Sequence, residues 1–167
     1  MSTIVLNTKT FGELAISAQE GLFEYYTLSL GGKDVKFHLF IFEGFLNDDT
    51  VKTVERFLDN FSVLYDRARA YITEQSDDSD VDYFYRAGLD ETDEEYLLNL
   101  FGVSGTEKIT KEMYLAALEL RGSHIWQNDK GAVGCVLDFS LDEEYTDELL
   151  VVSFNDALEP VNIANES

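Results

Sequence analysis

Proline, cysteine and tryptophan each occur once in this chain, as Pro160, Cys135 and Trp126. A single cysteine excludes an intrachain disulfide framework and a thiolate metal cluster. Within the apolar run of Val133, Val136 and Leu137 it reads as a small buried hydrophobe suited to a reducing compartment. His38 and His124, the only histidines, are too few for a histidine-rich zinc site and read as structural or partly exposed side chains. No stretch approaches the ~20 apolar residues of a membrane span. The opening MSTIVLNTKTFGEL lacks a basic start followed by an apolar run of signal-peptide length, so the cytoplasm is the expected compartment.

Cations are scarce as well: 12 Lys and Arg stand against 33 Asp and Glu, a net charge of −21. Nucleic acid is excluded as a direct ligand, because binding it rests on cations that neutralise phosphates and release counterions. An anionic membrane surface is disfavoured for the same reason. Carboxylates at this density repel one another and cost stability, which points to a cationic protein as the partner they serve.

What is present suffices for one folded domain spanning 1–167, since 45 % of the residues are hydrophobic and 13 % aromatic. Residues before Leu22 read as loop. From there FEYYTLSL and VKFHLFIF flank Gly31-Gly32, the pattern of an antiparallel hairpin, with Val35, Phe37 and Leu39 on one face and Lys36, His38 and Phe40 on the other. Apolar residues at three- and four-residue steps over 51–72 predict a helix of about six turns, capped from 47–50 and free to kink at 60–62. An acidic loop follows, with a short helix over 82–87. Thr92 and Glu95 have capping-box spacing ahead of a helix over 96–101 that Gly102 stops. A further helix is expected over 110–121, and then strands at 124–128, 132–140 and 148–154. The order predicts an α+β fold: an antiparallel sheet built from N- and C-terminal strands, with a central helical segment packed on one face.

No motif supplies catalytic, cofactor or metal chemistry. Asp77, Asp78, Asp80 and Asp82 suggest a calcium loop, but no start in that run places Gly sixth and Glu twelfth. Gly31-Gly32-Lys33 lacks P-loop spacing. Ser123 and His124 are sequence neighbours on a strand and so point to opposite faces.

The acids do have a pattern. Ten lie between Ile72 and Leu98, and nine follow Lys130, the last cation. They read either as a solvated, solubilising surface or, with tyrosines set among them, as an anionic recognition surface, for which Asp77, Asp78, Asp80, Asp82, Tyr83, Tyr85, Asp93 and Glu94 are the candidate partner-binding residues.

The closing LDFSLDEEYTDELLVVSFNDALEPVNIANES resembles the end of a bacterial family known as domain of unknown function two-thousand-four. Its members finish with an aspartate-aromatic step, an acidic turn, a Thr-x-x-Leu-Leu-Val-Val strand and a terminal Glu-Ser after an isoleucine. Here these would be Asp138-Phe139, 142–145, 146–152 and 163–167. FGEL at Phe11, the Tyr25-Tyr26 strand, the glycine-containing hairpin and the long amphipathic helix are similar too, while the acidic stretch and 102–108 have no counterpart. The resemblance implies no catalytic residues. By analogy of type with small acidic immunity proteins, the expected function is a cytoplasmic binding protein, monomeric or weakly dimeric, that occludes a basic partner such as a toxin. The alternatives are an enzyme or small-molecule-binding protein with its pocket near His124 and Trp126, or a structural module that dimerises through a sheet edge.

Overall fold

The computed structural model describes residues 2–18, 22–30, 33–41, 47–128 and 130–167. A hairpin of β1 (Ser2–Thr8) and β2 (Gly12–Ala18) comes first, then β3 (Leu22–Leu30) and β4 (Lys33–Ile41). Helices α1 (Asp48–Asp59), α2 (Phe61–Glu74), α3 (Ser79–Glu91), α4 (Glu94–Phe101) and α5 (Lys111–Ala116) follow, with a 3-10 turn at Thr106–Lys108. The chain ends in β5 (Glu119–Gln127), β6 (Val133–Ser140), β7 (Leu149–Phe154) and β8 (Pro160–Glu166). Strands β3 to β8 form one six-stranded sheet in sequence order. The fold is α+β.

The sheet is antiparallel at every junction except one. Strands β4 and β5 run parallel, Lys36 opposite Gly122 through Phe40 opposite Trp126. A parallel pair needs a long crossover, and the whole helical segment supplies it. Leu22 pairs with Ile41 and Leu30 with Lys33, as the alternation predicts; the Gly31-Gly32 turn lies outside the described residues.

One face of the sheet makes the core. Val35, Phe37 and Leu39 of β4 meet Ile125, Leu137 and Val152 there, all buried. Against them pack Phe57, Leu64, Phe84 and Tyr114 from the helices. Burying a side chain of this size stabilises by about 1.5–3 kcal/mol, which is what fastens the crossover to the sheet. Among the described residues no helix is long and apolar enough to cross a membrane.

Several expectations need correction. The first residues are not loop: Ser2 to Thr8 pair with Ala18 to Gly12, and Leu6 is buried. Three consecutive apolar residues, Ile4, Val5 and Leu6, hide the alternation. The 51–72 helix is two helices, α1 ending where Asn60 turns its amide back to the Arg56 carbonyl. Helix α3 extends well beyond 82–87. The cap of α4 is Asp93, whose Oδ1 accepts from the Tyr96 amide at 2.8 Å, so Thr92 is the C-cap of α3 and makes no capping box. Helix α5 ends at Ala116 instead of 121, because the Arg69 guanidinium donates to the carbonyls of Leu115, Ala116 and Leu118 and closes its last turn from outside. Strand β8 adds an edge that the periodicity did not reveal.

Candidate functional site

The face of the sheet away from the helices carries an open depression of about 530 Å³, lined by strand residues alone among those described. Strand alternation places its side chains. If Phe37, Leu39, Ile125 and Leu137 enter the core, then His38, Phe40, His124, Trp126, Val136 and Asp138 stand on the opposite side. Phe40 and Trp126 are register partners, 40 % and 43 % exposed, and form an aromatic end to the depression. Gly134 lies opposite Trp126 across β5 and β6, and a Cβ there would meet the indole at 3.7 Å. That is an ordinary contact; the tight neighbour of such a Cβ would be the Phe154 carbonyl, at 3.3 Å.

The parallel seam brings the two histidines together. His38 and His124 are register partners whose rings stack with centroids 4.7 Å apart and planes 26° from parallel. Asp138, on β6, pairs with Gly122 rather than with His124. It reaches diagonally past the glycine, so that His124 Nε2–H donates to Asp138 Oδ2 at 2.9 Å. That hydrogen bond raises the basicity of His124 against the opposing effect of burial, and the charges of Asp138 and Glu166 add to it. His38 is held in the opposite sense, its basicity lowered by burial and then by the neighbouring His124. Of the two rings His124 therefore takes the first proton. Val151, Ser153, Asn162, Ala164 and Glu166 complete the depression from β7 and β8.

Ser123 points the other way. Fully buried, it donates to the Val136 carbonyl at 2.9 Å, so the Ser-His neighbours do not form a nucleophile and base. Cys135 beneath the sheet is fully buried, and burial pushes its thiol up to about 12. Among the described residues no three His, Cys, Asp or Glu side chains converge as a metal would require.

The eight acidic and tyrosine candidates lie on or beside α3 and at the start of α4, on the helical side of the sheet. Most are engaged in holding the fold. Asp78 caps α3 by accepting from the Asp80 amide at 2.8 Å, and Asp93 caps α4. Asp80 Oδ2 accepts from the Asn165 amide on β8 at 3.3 Å. Asp82 binds Arg86 at 2.9 Å and Lys111 at 3.0 Å. Tyr85 is half-buried, its ring edge-on to Tyr114 and its hydroxyl donating to the Ile109 carbonyl. Asp77, Tyr83 and Glu94 remain exposed. Acids elsewhere do similar work: Glu55 accepts from the Asn7 amide, and Asp59 from those of Lys9 and Thr10, which ties α1 to the first hairpin.

The helical side also has its own depression, of about 650 Å³, between α2 and α5. Its cations are already committed: Arg69 to the carbonyls that end α5, and Lys111 to Asp82 and the Ser76 carbonyl. The sheet face is the better candidate, because it joins the exposed rings of Phe40 and Trp126 to His38, His124, Asp138 and Glu166 on one depression.

Sequence reasoning found Trp126 and His124 as the edge of a possible pocket but not the constellation. The signal was the shared alternation of His38 with Phe40 and of His124 with Trp126. Joining the two pairs required the parallel register. Compared with family models, curated proteins and solved structures, the chain matches none.

Proposed function

We propose that the chain is an acidic binding protein whose helix-free sheet face docks on a basic protein and occludes it in the manner of an immunity-type inhibitor. One observation carries this reading: Phe40 and Trp126 stay exposed on the same depression as Asp138 and Glu166, in a chain of net charge −21. Rigid aromatic area beside carboxylates suits a cationic side chain, which gains from the ring face as well as from the charge. The remaining acids, Asp77 and Glu94 among them, act at a distance by steering a cationic partner toward the molecule. Kinship with the family two-thousand-four belongs to the same proposal and brings no residue roles of its own.

Trp126 is the only tryptophan, so its emission reports on this face alone. Hexa-arginine is the probe, titrated at low and at physiological salt. Any strongly acidic protein attracts a polycation, so the decisive comparison is between two variants of equal charge. Asp138→Asn with Glu166→Gln should weaken binding at least severalfold more than Asp77→Asn with Glu94→Gln. Equal losses in the two variants would refute a site on the sheet face.

A second reading has a specific observation behind it. The His124–Asp138 pair at 2.9 Å, within a depression of about 530 Å³, has the orientation of a base held by a carboxylate. A small-molecule ligand would then occupy the face, and emission changes with neutral aromatic compounds but not with hexa-arginine would select it.

A further inference from the structure

We propose that the stacked His38–His124 pair, fastened to Asp138, is a proton-operated switch that turns this face from cation-accepting to cation-repelling as the surroundings acidify. The inference rests on the docking reading just given and adds its regulation.

The geometry supplies the parts. Two imidazoles 4.7 Å apart cannot both be charged without mutual repulsion, and both line the depression, on its β4–β5 side. Among the described residues, three charged groups act on them. Lys36 stands on β4, two residues before His38, Asp138 on β6 and Glu166 on β8. On β3 the register position beside His38 belongs to Tyr25. From β7, Ser153 is uncharged.

With both rings neutral, one ammonium against two carboxylates leaves these three groups together one unit negative. The first proton goes to His124, where Asp138 accepts its hydrogen bond, and cancels that unit. The second, on His38, reverses the sign. An arginine or lysine approaching Trp126 must pass beside these rings, because Trp126 follows His124 by one pleat of the same strand. Protonation and cation binding therefore compete for the same carboxylates.

The sign follows from the two histidines. His124 is more basic folded than unfolded, so its charged form stabilises the fold below its ordinary value near 6.5, and that stabilisation is lost as pH rises through the folded value. His38 is less basic folded, so its contribution is present above that ordinary value and is lost as pH falls through the folded one. The switch thus works in a window around and just above pH 6.5, with a second step below it.

Two measurements test it. In the free protein, Trp126 emission followed from pH 8 to pH 5.5 should show a transition centred above pH 6.5 that His124→Gln abolishes. Failure of wild-type emission to titrate would overturn the switch whether or not any peptide binds. Hexa-arginine keeps its charge throughout this range, so any pH dependence of its affinity belongs to the protein. Affinity should fall about fivefold or more on acidification, the effect of one unit charge a few ångströms away in water, and should stay constant in a His38→Gln, His124→Gln variant. Binding that is tight at pH 8 and unchanged at pH 5.5 refutes the switch and leaves the docking reading standing. A fall that persists in the double variant assigns the protons elsewhere and refutes it too. No binding at pH 8 removes the docking reading, and the switch with it.

Discussion

Gly88 sits in the interior of α3, where glycine costs about 1 kcal/mol relative to alanine. The cause is Tyr114, fully buried, whose ring crosses the helix at that point. A Cβ on residue 88 would stand 1.9 Å from the Tyr114 hydroxyl oxygen, 2.6 Å from Cζ and 3.3 Å from Cε2. The hydroxyl itself has no hydrogen-bond partner, and burial raises its pKa above the ordinary phenol value. A buried hydroxyl without a partner costs roughly 1–3 kcal/mol, so Tyr114→Phe should stabilise the protein by about 1 kcal/mol, or ~2–4 °C in Tm for a chain of this size. Gly88→Ala should gain about 1 kcal/mol of helix propensity and lose about 1–3 kcal/mol to overpacking, a net destabilisation of up to ~2 kcal/mol. In the double variant the 1.9 Å contact is gone but the 2.6 Å contact with Cζ remains. The two changes should therefore couple favourably without cancelling. Urea unfolding of the four proteins, with equal m-values, measures the cycle. A Tyr114→Phe variant less stable than wild type by 1 kcal/mol or more would show that the hydroxyl is hydrogen-bonded in solution, and the account of Gly88 would fall with it.

Other tests follow from the acids and the core. Asp82 has its pKa lowered by the hydrogen bond from Lys111 and then by Arg86, so its stabilisation is present above the unfolded value near 3.9 and disappears as pH falls through the folded one. Asp82→Asn should flatten the acid limb of the stability curve there, and an unchanged limb would mean the ion pairs do not persist in solution. Cys135 should resist a thiol reagent in the native protein and react at once after unfolding, because the thiol is fully buried and hard to ionise. Melting temperature should rise as ionic strength goes from about 0.01 M to 0.15 M, the Debye length falling from ~30 Å to ~8 Å and self-repulsion with it; a constant or falling value would indicate carboxylates already neutralised by partners or ions.

Local physics was legible where one element decides its own fate. Alternation around Gly31-Gly32 gave β3 and β4, and the stripe from Val51 to Ile72 gave the long helical segment as one helix with a kink allowed at 60–62, where the chain instead breaks it into two. Reading failed where a distant group decided. The periodicity of MYLAALEL is helical, yet Arg69, from α2, ends the helix by taking its carbonyls. Thr92 has capping-box spacing, but Asp93 beside it offers a charged acceptor, the stronger N-cap, and takes the cap. The acids of the 72–98 stretch could not be sorted by sequence, since a carboxylate capping a helix and one awaiting a partner have the same letter. Asp78 and Asp93 cap helices and Asp82 pairs with Arg86 and Lys111, while Asp77 and Glu94 remain exposed. The histidines illustrate the limit most directly. Their stacking is a property of the β4–β5 register and of nothing nearer in the chain.

That same seam has a consequence for how the chain is made. Strand β4 leaves the ribosome with β3 beside it on one side only, and its second neighbour, β5, begins at Glu119. At ~5–20 residues per second the intervening segment takes on the order of ten seconds to synthesise. Throughout that interval β4 presents an open row of amides and carbonyls, with Phe37 and Leu39 lacking the sheet they will pack beside, which is a template for pairing with a neighbouring nascent chain. The strand-rich start is also joined to the strand-rich end by contacts far apart in sequence, the topology that slows folding to milliseconds or seconds. Much of the carboxylate charge is already in place by then, since α1 to α4 precede β5 and carry most of the acids of the 72–98 stretch. Like charges on adjacent polysomal chains hold them apart until β5 arrives, so the acidity would serve the chain, before it is folded, as protection from its own copies.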